Sequence, residues 1–109
     1  MKTINVGNEG FQTLEIPFEN NTINMTIKFL QTRSEWVMDL TYLNKTINGV
    51  RLSVGAILLK NNLPFDFLIE DNSKQGFDPY DAEDFTQNRC TFFLLERVDL
   101  VQIRGFDVQ

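Results

Sequence analysis

The 109-residue sequence contains no histidine and a single cysteine. The first absence removes every mechanism that depends on an imidazole, including Ser-His-Asp and Cys-His catalysis and His-ligated zinc. The second removes an internal disulfide and any cysteine metal cage. Positive charge is scarce. Ten Lys and Arg stand against fifteen Asp and Glu, a net charge of −5, which argues against an affinity for nucleic acid built on phosphate neutralisation. Arg33, Arg51, Arg89, Arg97 and Arg104 are dispersed, so no basic face interleaved with aromatics is available for single strands. Apolar runs such as Ala56-Ile57-Leu58-Leu59 fall far short of the roughly 20 residues of a membrane span. The first ten residues hold no apolar run of signal-peptide length. The sequence thus predicts a protein outside the membrane and without an N-terminal export signal. Three Asn-X-Thr triplets, at Asn20, Asn24 and Asn44, carry no weight without one.

What is present is a period of two. Ile23, Met25, Ile27 and Phe29 alternate with Thr22, Asn24, Thr26 and Lys28. Trp36, Met38, Leu40 and Tyr42 alternate with Val37, Asp39 and Thr41. Leu14-Ile16-Phe18 and Leu63-Phe65-Phe67-Ile69 repeat the pattern, and Cys90-Thr91-Phe92-Phe93-Leu94-Leu95 reads as a strand buried on both faces. Alternation sends one set of side chains to a core and the other to water. No window of helical length carries a comparable 3.6-residue stripe. Turn formers separate the runs. Glu19-Asn20-Asn21 is read as a turn in which Asn supplies the left-handed conformation. Leu43-Asn44-Lys45-Thr46 ends the Trp36 strand, Asn48-Gly49 is a hairpin or bulge signal, and Asn61-Asn62 breaks the chain after Leu59. Gly55 reads as a kink where a strand bends. The expected fold is all-β, a small antiparallel β-barrel or sandwich of six to seven short strands. It is expected as one domain over residues 1–109, with a core from about 12 to 97 and terminal arms at 1–10 and 98–109.

Residues 70–84 break this rhythm. Glu70, Asp71, Asp78, Asp81, Glu83 and Asp84 face Lys74 alone, so this long acidic loop accounts for the whole net charge of −5. Like charges repel at low salt, which predicts a loop that is mobile until a partner orders it. Asp78, Asp81, Glu83 and Asp84 are its candidate docking residues. Their oxygens would also suit a cation, although the spacing lacks the central Gly and terminal Glu of a helix-flanked calcium loop. Asp81 has the further option of capping a short helical turn. Glycoside hydrolysis needs two carboxylates a few ångströms apart in a cleft, whereas Asp39, Asp66 and Glu70 fall in outward strand slots and read as solvated charges. Cys90 reads as an inert buried thiol. Trp36 reads as core, with a ligand-stacking platform as the alternative. Neither a catalytic residue nor a cofactor site emerges.

The C-terminal end keeps its apolar content. Val98-Asp99-Leu100-Val101-Gln102-Ile103-Arg104, then Phe106 and Val108, continue a strand-like pattern to the last residue. Such a segment either closes its own sheet or adds a strand to a neighbouring subunit. Leu100, Val101, Ile103, Phe106 and Val108 are the candidate interface residues.

The order of these features is similar to a known family. Trp36-Val37-Met38-Asp39-Leu40 comes first, then Gly49-Val50-Arg51-Leu52 with Gly55 and Leu58-Leu59, then the Phe65–Ile69 strand. The acidic Asp78-Pro79…Glu83-Asp84-Phe85 stretch and the Phe92–Leu95 strand follow. Over roughly residues 12–96 the chain resembles the small baseplate plug proteins of contractile-tailed bacteriophages. It departs from their pattern at Phe85-Thr86, where they carry Leu-Gly. The resemblance implies a virion structural component without catalytic residues, near the junction of tail tube, hub and spike. It also implies several copies in a symmetric assembly with other baseplate, hub or tail-tube proteins, and neither nucleic acid nor membrane as a partner. The protein would reside in the tail baseplate, and in the host cytoplasm during assembly. A small-ligand or carbohydrate-binding β module, and a phage-encoded regulator of a host enzyme acting through the acidic loop, are the alternatives.

Overall fold

The structure, a computed structural model, describes residues 1–55, 57–59 and 63–104, the last two by their backbone alone. Its elements in chain order are β1 (Lys2–Ile4), β2 (Phe11–Phe18), β3 (Asn21–Leu30), β4 (Glu35–Tyr42), β5 (Lys45–Arg51), β6 (Asp66–Asp71), β7 (Cys90–Leu95) and α1 (Arg97–Arg104). All strands pair antiparallel, in a four-stranded sheet of order β2-β3-β4-β5 and a three-stranded sheet of order β1-β7-β6. Two open sheets make this a sandwich and not a closed barrel.

The period-two pattern fixes which faces meet. Ile23, Met25 and Ile27 of β3 and Trp36, Met38, Leu40 and Tyr42 of β4 are all buried. Phe67 and Ile69 of β6 and Phe92 and Leu94 of β7 join them in one cluster. Phe65 ties the layers together. Its ring lies 5.0 Å from Phe18 and 5.0 Å from Tyr42 on one side, and 5.7 Å from Phe67 on the other. The contacts with Tyr42 and Phe67 are edge-to-face, a geometry that adds about 0.5–1.5 kcal/mol per pair beyond the area buried.

The two tight hairpins fall where the sequence reading places turns, but their left-handed residues differ from it. Phe18 pairs with Asn21 and Tyr42 with Lys45, so Glu19-Asn20 and Leu43-Asn44 are two-residue turns. The left-handed backbone falls on Glu19 (φ 54°) and Leu43 (φ 54°), not on the asparagines. Strand twist selects a turn with positive φ at its first central position, and the tight register leaves no freedom to shift. Leu43 is 63% exposed, so nothing it packs against repays a strain of about 1–2 kcal/mol. Leu43→Gly should therefore raise the stability by about 0.5–1 kcal/mol after allowing for glycine's unfolded-state entropy. A thermal melt reads this as a rise of a few degrees, and an unchanged or lower transition would refute it.

Asn48-Gly49 forms a bulge. The β4–β5 register shifts between Met38 and Leu40, and Gly49 takes φ 71°. The bulge brings the Gly49 N–H onto Asp39 Oδ1 at 2.7 Å, while Lys28 Nζ sits 3.1 Å from Oδ2.

The C-terminal segment is a helix, which corrects the strand expected there. Asp99 explains the difference. Its Oδ2 accepts the Glu96 N–H at 2.9 Å, and the Leu100 N–H donates to the Glu96 carbonyl at 3.0 Å. A carboxylate reaching back to the capping amide starts a helix. Helical spacing then re-sorts the side chains. Leu100 is buried, whereas Val98 and Val101 are 65% and 69% exposed. The Ile103 side chain, Phe106 and Val108 lie outside the described residues.

Candidate functional site

The acidic loop has a counterion that its net charge conceals. Arg89, just before β7, forms a two-pronged pair with Asp84, Nε to Oδ1 at 2.8 Å and Nη2 to Oδ2 at 2.9 Å. Its Nη1 lies 3.3 Å from Asp71 Oδ1. The same guanidinium donates to the carbonyls of Phe77 (3.3 Å) and Asp78 (2.9 Å) and sits 4.6 Å from the Tyr80 ring centre. Arg is the one side chain with a planar fork of five donors able to do this. The loop therefore has internal order without waiting for a partner, contrary to the expectation built on self-repulsion.

Backbone amides complete the arrangement. Asp84 Oδ2 accepts the N–H groups of Tyr80 and Asp81 at 2.7 and 2.8 Å. Asp71 accepts from Ser73 and Phe77. The helical-turn option for Asp81 is realised, since its Oδ1 accepts the Glu83 N–H at 2.9 Å. Its carbonyl takes the Trp36 indole N–H at 3.1 Å, which anchors the loop to the core. Phe85 leads out of this turn. It is buried against Trp36, 5.3 Å between rings, and the left-handed backbone falls at Asn88 (φ 62°).

All four acids proposed for docking accept hydrogen bonds within the protein. Asp78 accepts the Val54 N–H at 3.0 Å and faces Arg51 at 3.4 Å. Glu83 accepts from Asn8 and Thr86, and Asp84 is buried against Arg89. Asp81 alone stays exposed. Two aromatic side chains of the loop, Phe77 and Tyr80, are also exposed. Arg89 was visible in the sequence only as the one base placed directly after the acids.

These carboxylates titrate low. Hydrogen bonding from Ser73, against the opposing effect of burial, and then the Phe77 amide and Arg89 hold Asp71 at about 2. Burial alone would raise Asp84, but Arg89 and the Tyr80 and Asp81 amides outweigh it and keep the carboxyl below its ordinary value. A depressed folded pKa stabilises above the unfolded value of about 3.9, and that stability disappears as pH falls through the folded pKa. The unfolding free energy should therefore be flat above about pH 5 and fall between about pH 5 and 2. Urea titrations across that range measure it, and a flat profile would contradict the arrangement.

The hydrolytic candidates are not brought together. Asp39 is engaged by Gly49 and Lys28, and Glu70 is exposed. Asp66 is fully buried, which overturns its reading as a solvated charge. It does occupy an outward slot of β6, but the chain before it closes that side. Val54 bridges Ile69, and the Leu58 N–H donates to the Phe67 carbonyl. Asp66 Oδ1 accepts the N–H groups of Leu59 (2.8 Å) and Phe67 (2.7 Å), while Oδ2 has no hydrogen-bond partner among the described residues. Burial pushes the Cys90 thiol up to about 11, away from the nucleophilic thiolate. Among the described residues no group of three or more His, Cys, Asp or Glu side chains is placed to hold a metal ion.

The terminal helix is the second element with a surface to offer. Its first turn is fixed at several points. The Met1 amine meets Asp99 at 3.0 Å, Lys2 faces Glu96 at 3.6 Å, and Arg97 grips both carboxylate oxygens of Glu19. Burial of Leu100 holds it down and leaves Val98 and Val101 facing out.

A small β-sandwich whose loop acids are engaged in its own folding, and which leaves Phe77, Tyr80, Val98 and Val101 exposed, has the makings of a structural module. The family model described as Cyanophage baseplate Pam3 plug gp18 matches residues 1–97, and the chain belongs to that family of phage baseplate plug proteins. No curated protein matches it. Membership carries a structural role in the tail baseplate, in assembly with other baseplate proteins. The matched stretch includes β1 and stops at the first residue of α1.

Proposed function

We propose that the protein is an adaptor in the tail baseplate, joining tail tube, hub and spike purely by protein–protein contact and performing no chemistry. The observation that carries the reading is α1, which lies almost wholly beyond the family match yet is pinned to the sandwich while presenting Val98 and Val101 to solvent. Exposed apolar side chains on a fixed scaffold mark contact sites, and each valine buried against a neighbour contributes about 1.5–3 kcal/mol before ordering costs. Several copies in a symmetric ring multiply that contribution. Leu100 supports the helix from beneath and does not itself meet the neighbour. The alternatives lose their footing. Trp36 is fully buried and unavailable as a stacking platform, and a loop that turns Asp71, Asp78, Glu83 and Asp84 to its own hydrogen bonds is a poor imitation of a polyanion.

Val98→Asp combined with Val101→Asp tests the adaptor reading. The thermal transition of the isolated protein should stay within about two degrees, since surface substitutions of this kind fall within about 0.5 kcal/mol. Incorporation into particles, measured by complementation and quantitative mass spectrometry of purified tails, should fall at least about tenfold. Normal incorporation would remove α1 as the contact.

A further inference from the structure

The four sheet edges are not protected alike. The free edge of β5 carries a bulge together with Lys45 and Arg51, and the flank of β6 is covered by the Val54 bridge and the Leu58–Phe67 bond. These are the ordinary defences of an edge. β1 is short and carries Lys2, but β2 has an unbroken register and neither a basic residue nor a proline over Phe11–Ile16.

The register shows which backbone groups β2 leaves free. The Phe29 N–H donates to the Gly10 carbonyl at 3.0 Å, so Gly10 and Phe29 form a hydrogen-bonded pair. Alternation then turns the backbone of Gln12, Leu14 and Ile16 toward β3 and that of Phe11, Thr13 and Glu15 away from it. Pro17 shares the outward phase, where its missing N–H costs nothing. Between β2 and β1 runs a groove of about 310 Å³ lined by Ile4, Leu14, Ile16 and Leu94. Two charged residues line it, Glu15 and Lys2. Glu15 is exposed and has no ion-pair partner among the described residues, whereas Lys2 is already matched to Glu96.

We propose that β2 receives an extended strand from another baseplate protein, a partner whose alternate residues are apolar toward the groove and basic toward Glu15. An array of N–H and C=O groups at every second residue is matched by polypeptide in the extended form. The apolar groove specifies one face of that strand and the unpaired Glu15 carboxylate specifies the other. A second copy of this chain fits less well, because pairing β2 with itself brings two unpaired Glu15 side chains and two bodies of net charge −5 together. The inference rests on the assembly reading above, but it concerns a different surface from α1.

Hydrogen exchange tests it amide by amide. In the isolated protein Gln12, Leu14 and Ile16 should be protected while Phe11, Thr13 and Glu15 exchange fast. In purified baseplates the latter three should slow at least about 100-fold. Thr13→Pro removes an outward N–H without touching the β3 ladder. It should lower incorporation at least about tenfold, with Leu14 protection intact as the check on folding, whereas Thr13→Val should incorporate normally. Fast exchange of Thr13 in baseplates, or normal incorporation of Thr13→Pro, overturns the proposal. So does protection of Thr13 in the isolated protein accompanied by a dimer mass, which would assign the edge to self-pairing. A synthetic Lys-Val-Lys-Val-Lys-Val peptide separates the two readings. If it slows Phe11 and Glu15 exchange in the wild type and not in Thr13→Pro, the edge accepts strands even should the protein prove absent from baseplates. No slowing counts against the edge itself.

Discussion

Arg89→Met should lower the unfolding free energy by about 3 kcal/mol, because removing one member of a largely buried ion pair leaves the other charged and unpaired. Asp84 is the group left behind. It is buried and loses both prongs of its fork, while the carbonyls of Phe77 and Asp78 lose their donors in the same step. For a chain of this size such a loss amounts to roughly ten to twenty degrees in Tm. Arg89→Lys keeps the charge but not the planar fork, so it should recover less than about half of the deficit. Trp36 offers a local reading of the same event. It is the chain's single tryptophan and donates to the Asp81 carbonyl. Its emission should shift to the red in Arg89→Met before the global transition begins. A loss below about 1 kcal/mol would mean that Arg89 decorates the loop and does not organise it.

Phe65→Ala should be at least as costly, about 3–5 kcal/mol, through lost transfer energy and the cavity left behind. Phe65 is fully buried, and its three ring contacts join the two sheets. Removing the ring therefore separates layers and does not merely hollow one of them. Phe65→Leu retains most of the volume and should cost about half as much. Urea titration distinguishes the cases, with an unchanged m-value confirming that the variants unfold from the same compact state. A cost below about 2 kcal/mol for the alanine variant would show that the layers are held elsewhere.

Most of the strand layout is legible in the sequence because a half-buried strand writes its faces into alternate residues. β3 and β4 are the clearest cases, where every apolar residue from Ile23 to Ile27 and from Trp36 to Tyr42 in the inward phase is buried. The errors arise where the determining contact is distant or electrostatic. Val98 to Arg104 satisfies both a period of two and a helical period, and a carboxylate capping interaction by Asp99 decides between them. Asp66 sits in an outward slot, but a segment from elsewhere in the chain buries it. The acidic loop shows its charges in the sequence and hides their pairing. Asp84 and Arg89 meet through a fold-specific turn that no composition count contains. The free edge of β2 is legible only once the register is known.

The pairing of β1 with β7 has a consequence for how the chain is made. The β2–β5 sheet is a run of consecutive hairpins, so its contacts are local and can form as soon as residue 51 is available. The other sheet joins Lys2–Ile4 to Phe92–Leu94, almost the whole length of the sequence. Such closure is slow, since the loop entropy is lost before the contacts are gained. During translation the inner face of the first sheet, with Trp36 and Met38 on it, therefore stays uncovered until β7 has emerged from the ribosome. Synthesis rate and chaperone supply, more than final stability, should then govern how much of this protein a host cell yields in soluble form.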